Sequence, residues 1–304
     1  MNMAKDAGYI AAVAVAVIVL AGSGASSQSN DASQGALELT SGLGRKLYAL
    51  QDDQAVIAAR SKLAADPRNS ILAVALSQAQ AGRRQYREAI ETCTKALESQ
   101  PDNADLLIER GHRELGMRDF TAAQADLERA TSLDPTKIDG FYHLGLAHYF
   151  QAQFDPAADA FRKALGLAPN NDDIIDSTNW LYASLRRAGR DTDAVQALAK
   201  ITPDIKNTQP HYGFYLRLLH FFQGSISELD VMVPKPKDAN DLEAELAFDT
   251  VTYGVGNWHL YVGDPNRPKE LFEQVVTGNA WNAWGFIGSE TELIRIKAAR
   301  NQSE

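Results

Sequence analysis

The chain has one cysteine, Cys93, in 304 residues, so no intramolecular disulfide is possible and packing must hold the fold. It also lacks the short motifs of common catalytic sites. No serine sits in a Gly-x-Ser-x-Gly turn, and no glycine-rich phosphate loop precedes a Lys-Ser or Lys-Thr pair. His112 is followed by Arg113-Glu114, which is not the His-Glu-x-x-His arrangement of zinc hydrolases. His143 and His148 are five apart and fall on different helix faces, whereas paired helical ligands use spacings of three or four. These absences point to a chain without catalytic residues, metal or cofactor.

Basic clusters are scarce as well. The formal net charge is −9, and Arg83-Arg84 and Arg186-Arg187 are only local pairs. Phosphate neutralisation needs a basic face, so nucleic acid is not an expected partner.

The one long apolar run, Ala7 to Ala21, follows Lys5 and precedes the small residues Ser23-Gly24-Ala25. This order predicts a signal peptide over 1–25 and export to a periplasmic or extracellular compartment. The alternative is an uncleaved anchor, for which the run is short against the ~20 residues a spanning helix needs. Residues 26–35 are polar and predict a flexible leader.

What is abundant is repetition. Pro67, Pro101, Pro135, Pro169 and Pro203 stand 34 residues apart, the period of a two-helix solenoid unit. With Ser70–Asn103, Ala104–Lys137 and Ile138–Asn171 aligned, Ser77, Gly111 and Gly145 share one column. Tyr86, Phe120 and Phe154 share a second, and Ala89, Ala123 and Ala157 a third, with Ala96, Ala130 and Ala164 completing the set. Small residues mark where two helices cross closely, aromatics fill the gap between pairs, and proline stops the second helix.

These columns, and above all Phe141 to Tyr149 with Phe161 to Pro169, resemble the tetratricopeptide repeat. The resemblance implies an all-α right-handed solenoid of five to six helix pairs. The array is expected over 36–205, with divergent repeats and a carboxy-terminal cap over 206–304. A weak first unit spans Gly42–Pro67, and a later one, with Trp180, Gly189 and Ala194, fits after about three inserted residues. Pro268 falls where the repeat has alanine, which predicts that the last second helix begins between Pro265 and Pro268. The closing helix, about Asn282–Arg300, should carry Trp284, Phe286, Leu293 and Ile296 on one side.

The resemblance further implies a non-catalytic scaffold of the cell envelope that binds a protein or peptide on its concave face. The columns of that face hold Gln78, Glu109, His112, Tyr142, Tyr149, Asn179, Arg186, Tyr253 and Asn257. Amides beside tyrosines suit an extended peptide. A Lys/Asn/Arg carboxylate clamp is not expected, since Val74, Gln78 and Phe154 occupy its columns. Two alternatives stand beside this reading. One is an adaptor docking through its convex face; the other is a hydrolase or glycan-processing factor in which Trp258, Trp281 and Trp284 stack on sugars.

Overall fold

Asn69 and Asn103, each two residues after a repeat proline, start first helices by accepting hydrogen bonds from the backbone N–H groups of Ile71 and Leu72, and of Leu106. The computed structural model describes residues 34–238, 241–264 and 266–301. Three regular pairs follow the 34-residue period: α2 (Ser70–Gly82) with α3 (Tyr86–Ser99), α4 (Ala104–Gly116) with α5 (Phe120–Leu133), and α6 (Ile138–Phe150) with α7 (Phe154–Leu167). Each second helix opens on its column aromatic.

The small column acts as expected. A Cβ added at Gly111 would lie 2.8 Å from the Leu127 side chain, and one at Gly145 would lie 2.7 Å from the Phe161 ring. Ala123, Ala130, Ala157 and Ala164 are fully buried at the crossings.

The turn inside each pair uses one residue in the left-handed region. These are Arg84 (φ 59°), Arg118 (65°) and Ala152 (61°), then Gly189 (72°), Gly224 (72°) and Gly263 (77°). The six positions identify three further, less regular pairs. They are α8 (Asn171–Arg187) with α9 (Asp191–Leu198), α10 (Tyr212–Phe222) with the short α11 (Glu228–Val231), and α12 (Leu242–Tyr261) with α13 (Arg267–Val275). Pro268 lies in the first turn of α13, where its missing N–H costs nothing.

First helices α2, α4, α6 and α8 pack on one another in succession, which sets them on the inner side of the curve. The fold is therefore mostly helical stacked pairs of tetratricopeptide type.

Two features depart from the sequence reading. The weak first unit is not a helix pair: β1 (Gln34–Thr40) and β2 (Lys46–Leu50) form an antiparallel hairpin ahead of a single helix α1 (Gln54–Ala65). Gln34 and Gly35, expected in the leader, belong to β1; the remainder of the leader up to residue 33, and the signal segment 1–25, lie outside the described residues.

The second departure is α14 (Trp284–Asn301), which does not cap the array from one side. Phe286 packs with Leu47, Val275 and Trp281, whereas Leu293 belongs to the main core with Leu146 and Trp180. A helix apolar on several sides must be enclosed.

The ends of the array meet. Arg45 of the hairpin donates to the carbonyls of Val276 (2.8 Å) and Gly278 (2.5 Å), and Tyr86 of α3 packs 5.4 Å from Trp281.

Candidate functional site

The concave groove is lined by first helices, and α14 lies within it. Its Trp284 ring sits 5.4 Å from His112, 6.2 Å from His143 and 6.3 Å from Phe150. Glu290 pairs with Arg118 at 2.9 Å and Glu292 with Arg187 at 2.8 Å. Arg295 donates to the carbonyl of Phe150 at 2.6 Å, at the end of α6 where carbonyls lack helical partners. Gly288 permits the approach, since a Cβ there would lie 2.5 Å from the Tyr253 ring.

This helix fills the half of the groove at the carboxy-terminal ends of α4, α6 and α8. Burying Phe286, Ile287 and Leu293 stabilises the seating of α14 by about 1.5–3 kcal/mol for each fully buried side chain, so α14 is core.

The nine concave residues read from the sequence divide accordingly. Tyr149, Asn179, Tyr253, Asn257 and Glu109 are buried. Tyr149, Tyr253 and Asn257 come together: the Asn257 amide donates to the Tyr149 hydroxyl at 2.5 Å, and Tyr253 lies within 3.4 Å of the same oxygen. Glu109 pairs with Arg113 at 2.8 Å and accepts from Ser77 at 2.7 Å. Arg186 is held by Asp191 at 2.9 Å and by the Tyr182 hydroxyl at 3.0 Å.

The expected patch of Tyr142, Tyr149 and Asn179 is therefore not a free surface. Only Tyr142 of the three is partly exposed, because the chain's own carboxy-terminal helices cover the others. Gln78 and His112 are also partly exposed. Arg186 and Arg187 find acidic partners within the chain, in Asp191 and Glu292.

The amino-terminal halves of α6, α8 and α10 are not covered in this way. There Tyr142, Asp173, Asp176, Tyr212 and Tyr215 are all partly exposed. Burial pushes the Asp173 carboxyl up to about 6, with Asp139 adding to the rise. Burial likewise pushes Asp176 up to about 7, against the hydrogen bond from Tyr142. Burial also holds His112 well below the usual histidine range, and Arg113 and the His143 ring stacked 4.1 Å away act in the same direction. Sequence reasoning found Tyr142 in this group but missed Asp173, Asp176, Tyr212 and Tyr215. The acids are spaced three apart on α8, a signal that the repeat columns do not carry.

No group of three potential metal ligands occurs among the described residues. A small pocket lined by Trp180, Tyr215, Tyr253 and Asn257 among others has a volume of about 10 Å³, room for no more than a water. Of the tryptophans proposed for sugar stacking, Trp281 is buried, Trp258 packs 5.1 Å from Phe221, and Trp284 faces the two stacked histidines.

Residues 138–171, the unit formed by α6, α7 and the start of α8, match the tetratricopeptide repeat family. The chain is similar to the Hsp70-Hsp90 organizing protein of Triticum aestivum, 24% identical over 131 residues, covering 41% of this chain and 22% of that protein. It is also similar to small glutamine-rich tetratricopeptide repeat-containing protein 2 of Saccharomyces cerevisiae, 31% identical over 88 residues, 29% of this chain and 25% of that protein. In both cases the chain spans no more than a quarter of the relative's length. Among solved structures, MamA aligns with a TM-score of 0.43 at 23% identity over 48% of this chain and 83% of its own.

Proposed function

We propose that this tetratricopeptide-repeat protein is a non-catalytic scaffold that holds a protein partner at the half of its concave groove left open by α14. The observation that carries the reading is the division of the groove: residues at the carboxy-terminal ends of the first helices are buried under α14, while Tyr142, Tyr212 and Tyr215 at the other end stay partly exposed. Partly exposed aromatics on a rigid helical frame are the residue type from which interface anchors are drawn. The Triticum aestivum relative, by its name, organizes Hsp70 and Hsp90, which supports a protein as the partner. Export to the cell envelope belongs to the proposal and rests on Lys5, the apolar run and Ser23-Gly24-Ala25.

A second reading, docking through the convex side, is favoured by one observation. A surface cleft of about 440 Å³ opens between α1, α2 and α3, with Leu63, Pro67, Ala73, Leu76 and Ala96 in its lining.

Photo-crosslinking separates the two. A benzophenone amino acid is placed at Tyr142 or Gln78 for the groove, and at the exposed Ile57 of α1 or Val195 of α9 for the convex side. Partner adducts from the groove positions are expected; adducts from Ile57 or Val195 alone would move the site to the convex side.

A further inference from the structure

Where the covered and open halves of the groove meet, His112 of α4 and His143 of α6 stack on each other. Their ring centroids are 4.1 Å apart and their planes lie 27° from parallel. The ring of Trp284, the first residue of α14, lies against both, 5.4 Å from His112 and 6.2 Å from His143. Tyr142 meets His143 edge-on at 5.3 Å, which joins the stack to the open mouth.

The His143 Nδ1 atom lies 2.8 Å from the Asp139 carbonyl, which can only accept, so Nδ1 carries a proton and Nε2 is left to take the second. Two neutral imidazoles stack without penalty, and one imidazolium is still tolerated against the Trp284 face. A second charge is not. The two rings would repel across 4.1 Å, and His143 is buried away from screening water.

The neighbouring charges do not relieve that repulsion. On α4, Arg113 adds to it, and Glu109 is already held by Arg113 and by Ser77 of α2. Asp139 of α6 favours a proton on His143 and not on His112. The acids of α14, Glu290 and Glu292, belong to Arg118 and Arg187. Across the mouth on α8, Asp173 and Asp176, raised by burial to about 6 and about 7, become neutral over the same range and lend no countercharge. Burial holds both histidines below their usual range, so separated rings bind protons that the stack excludes. The stack is therefore favoured above about pH 6.5, and falling pH favours its opening.

We propose that the His112–His143 stack is an acid-sensitive latch on Trp284, holding the first turn of α14 against the groove while neutral and releasing the Trp284 ring when both imidazoles take protons. Through Tyr142 the latch sets how far the partner's half of the groove stands open, a consequence that rests on the scaffold reading.

Acrylamide quenching of Trp284, taken as the difference between the full chain and its Trp284→Phe variant, tests the latch without any partner. From about pH 7.5 to about pH 5, across the ordinary histidine range, quenching should rise by about twofold or more with the far-ultraviolet circular dichroism unchanged. His112→Gln with His143→Gln, neutral at both values, should show no rise.

Quenching equal at the two pH values, or a rise that persists in the glutamine variant, would overturn the inference, as would loss of the helical signal in acid. Should the double variant melt early, His143→Gln alone leaves a single imidazole and carries the same comparison. Flat quenching, with partner adducts from Gln78 equal at both pH values, would remove the latch and leave the scaffold standing. A rise in quenching with adducts only from Ile57 or Val195 would leave the latch standing and remove the groove as the partner site.

Discussion

Glu292, in the middle of α14, lies 2.8 Å from Arg187 at the end of α8, and its side chain is only 4% exposed. Arg295 reaches the same carboxylate, so one buried acid serves two cations. Glu292→Ala should cost about 3–5 kcal/mol in urea unfolding, because it strands a largely buried guanidinium. Arg187→Ala should cost less, since Arg295 still meets the acid. Equal and small losses would place α14 outside the cooperative core.

The helix pairs were legible in the sequence because their contacts are local. Gly111 meets Leu127 and Gly145 meets Phe161, each sixteen residues apart, so one period repeats the same packing problem. The hairpin and α14 were not legible for the opposite reason. Arg118 meets Glu290 across 172 residues and Arg45 meets Val276 across 231, and no periodicity encodes such pairs. Of the concave residues, Tyr149 and Asn257 bond each other in the interior. That the chain would fill its own groove lies in the all-round apolar character of α14, where Phe286 and Leu293 belong to different clusters. The sequence pattern alone puts both on one side of a cap.

Gly145 supports the closest crossing of the third regular pair. Replacement by leucine must displace the Phe161 ring, which is fully buried and has nowhere to go. The expected loss is about 1–3 kcal/mol from overpacking, seen as a lower thermal midpoint, with Gly145→Ala showing a smaller fall. An unchanged midpoint for the leucine variant would mean that the α6/α7 crossing is looser than its geometry.

Cys93 is fully buried on α3, and burial pushes its thiol up to about 12. Almost none is thiolate at pH 8, so a disulfide exchange reagent should label the native protein far more slowly than the urea-unfolded chain. Rapid native labelling would show that α3 opens readily.

Export predicts a mature chain beginning at Ser26. Intact mass of protein extracted from the envelope fraction should show the loss of residues 1–25. A full-length mass confined to the cytosol would remove the envelope from the proposed function and leave the groove argument untouched.

Asp249 makes stability depend on pH in a defined direction. It is fully buried on α12, neither of its carboxylate oxygens accepts a hydrogen bond, and burial, with Glu245 adding to it, pushes the acid from 3.8 up to about 8. Between those values the folded chain keeps a proton that the unfolded chain has released, so stability falls as pH rises through the window. Glu114, raised to about 8 by burial, and Asp176, raised to about 7, act with the same sign. His112, held low by burial, acts oppositely and only below about 6.5, where protonation of the unfolded chain costs stability. The net fall should therefore be clearest from about pH 6.5 to 8. Asp249→Asn removes one titrating group without changing shape and should raise stability at pH 8 by on the order of 2–4 kcal/mol, with less gain at pH 5. Parallel stability profiles for the two proteins across that range would show that Asp249 keeps its charge when folded, and that a cation or water reaches it at the α12/α14 contact.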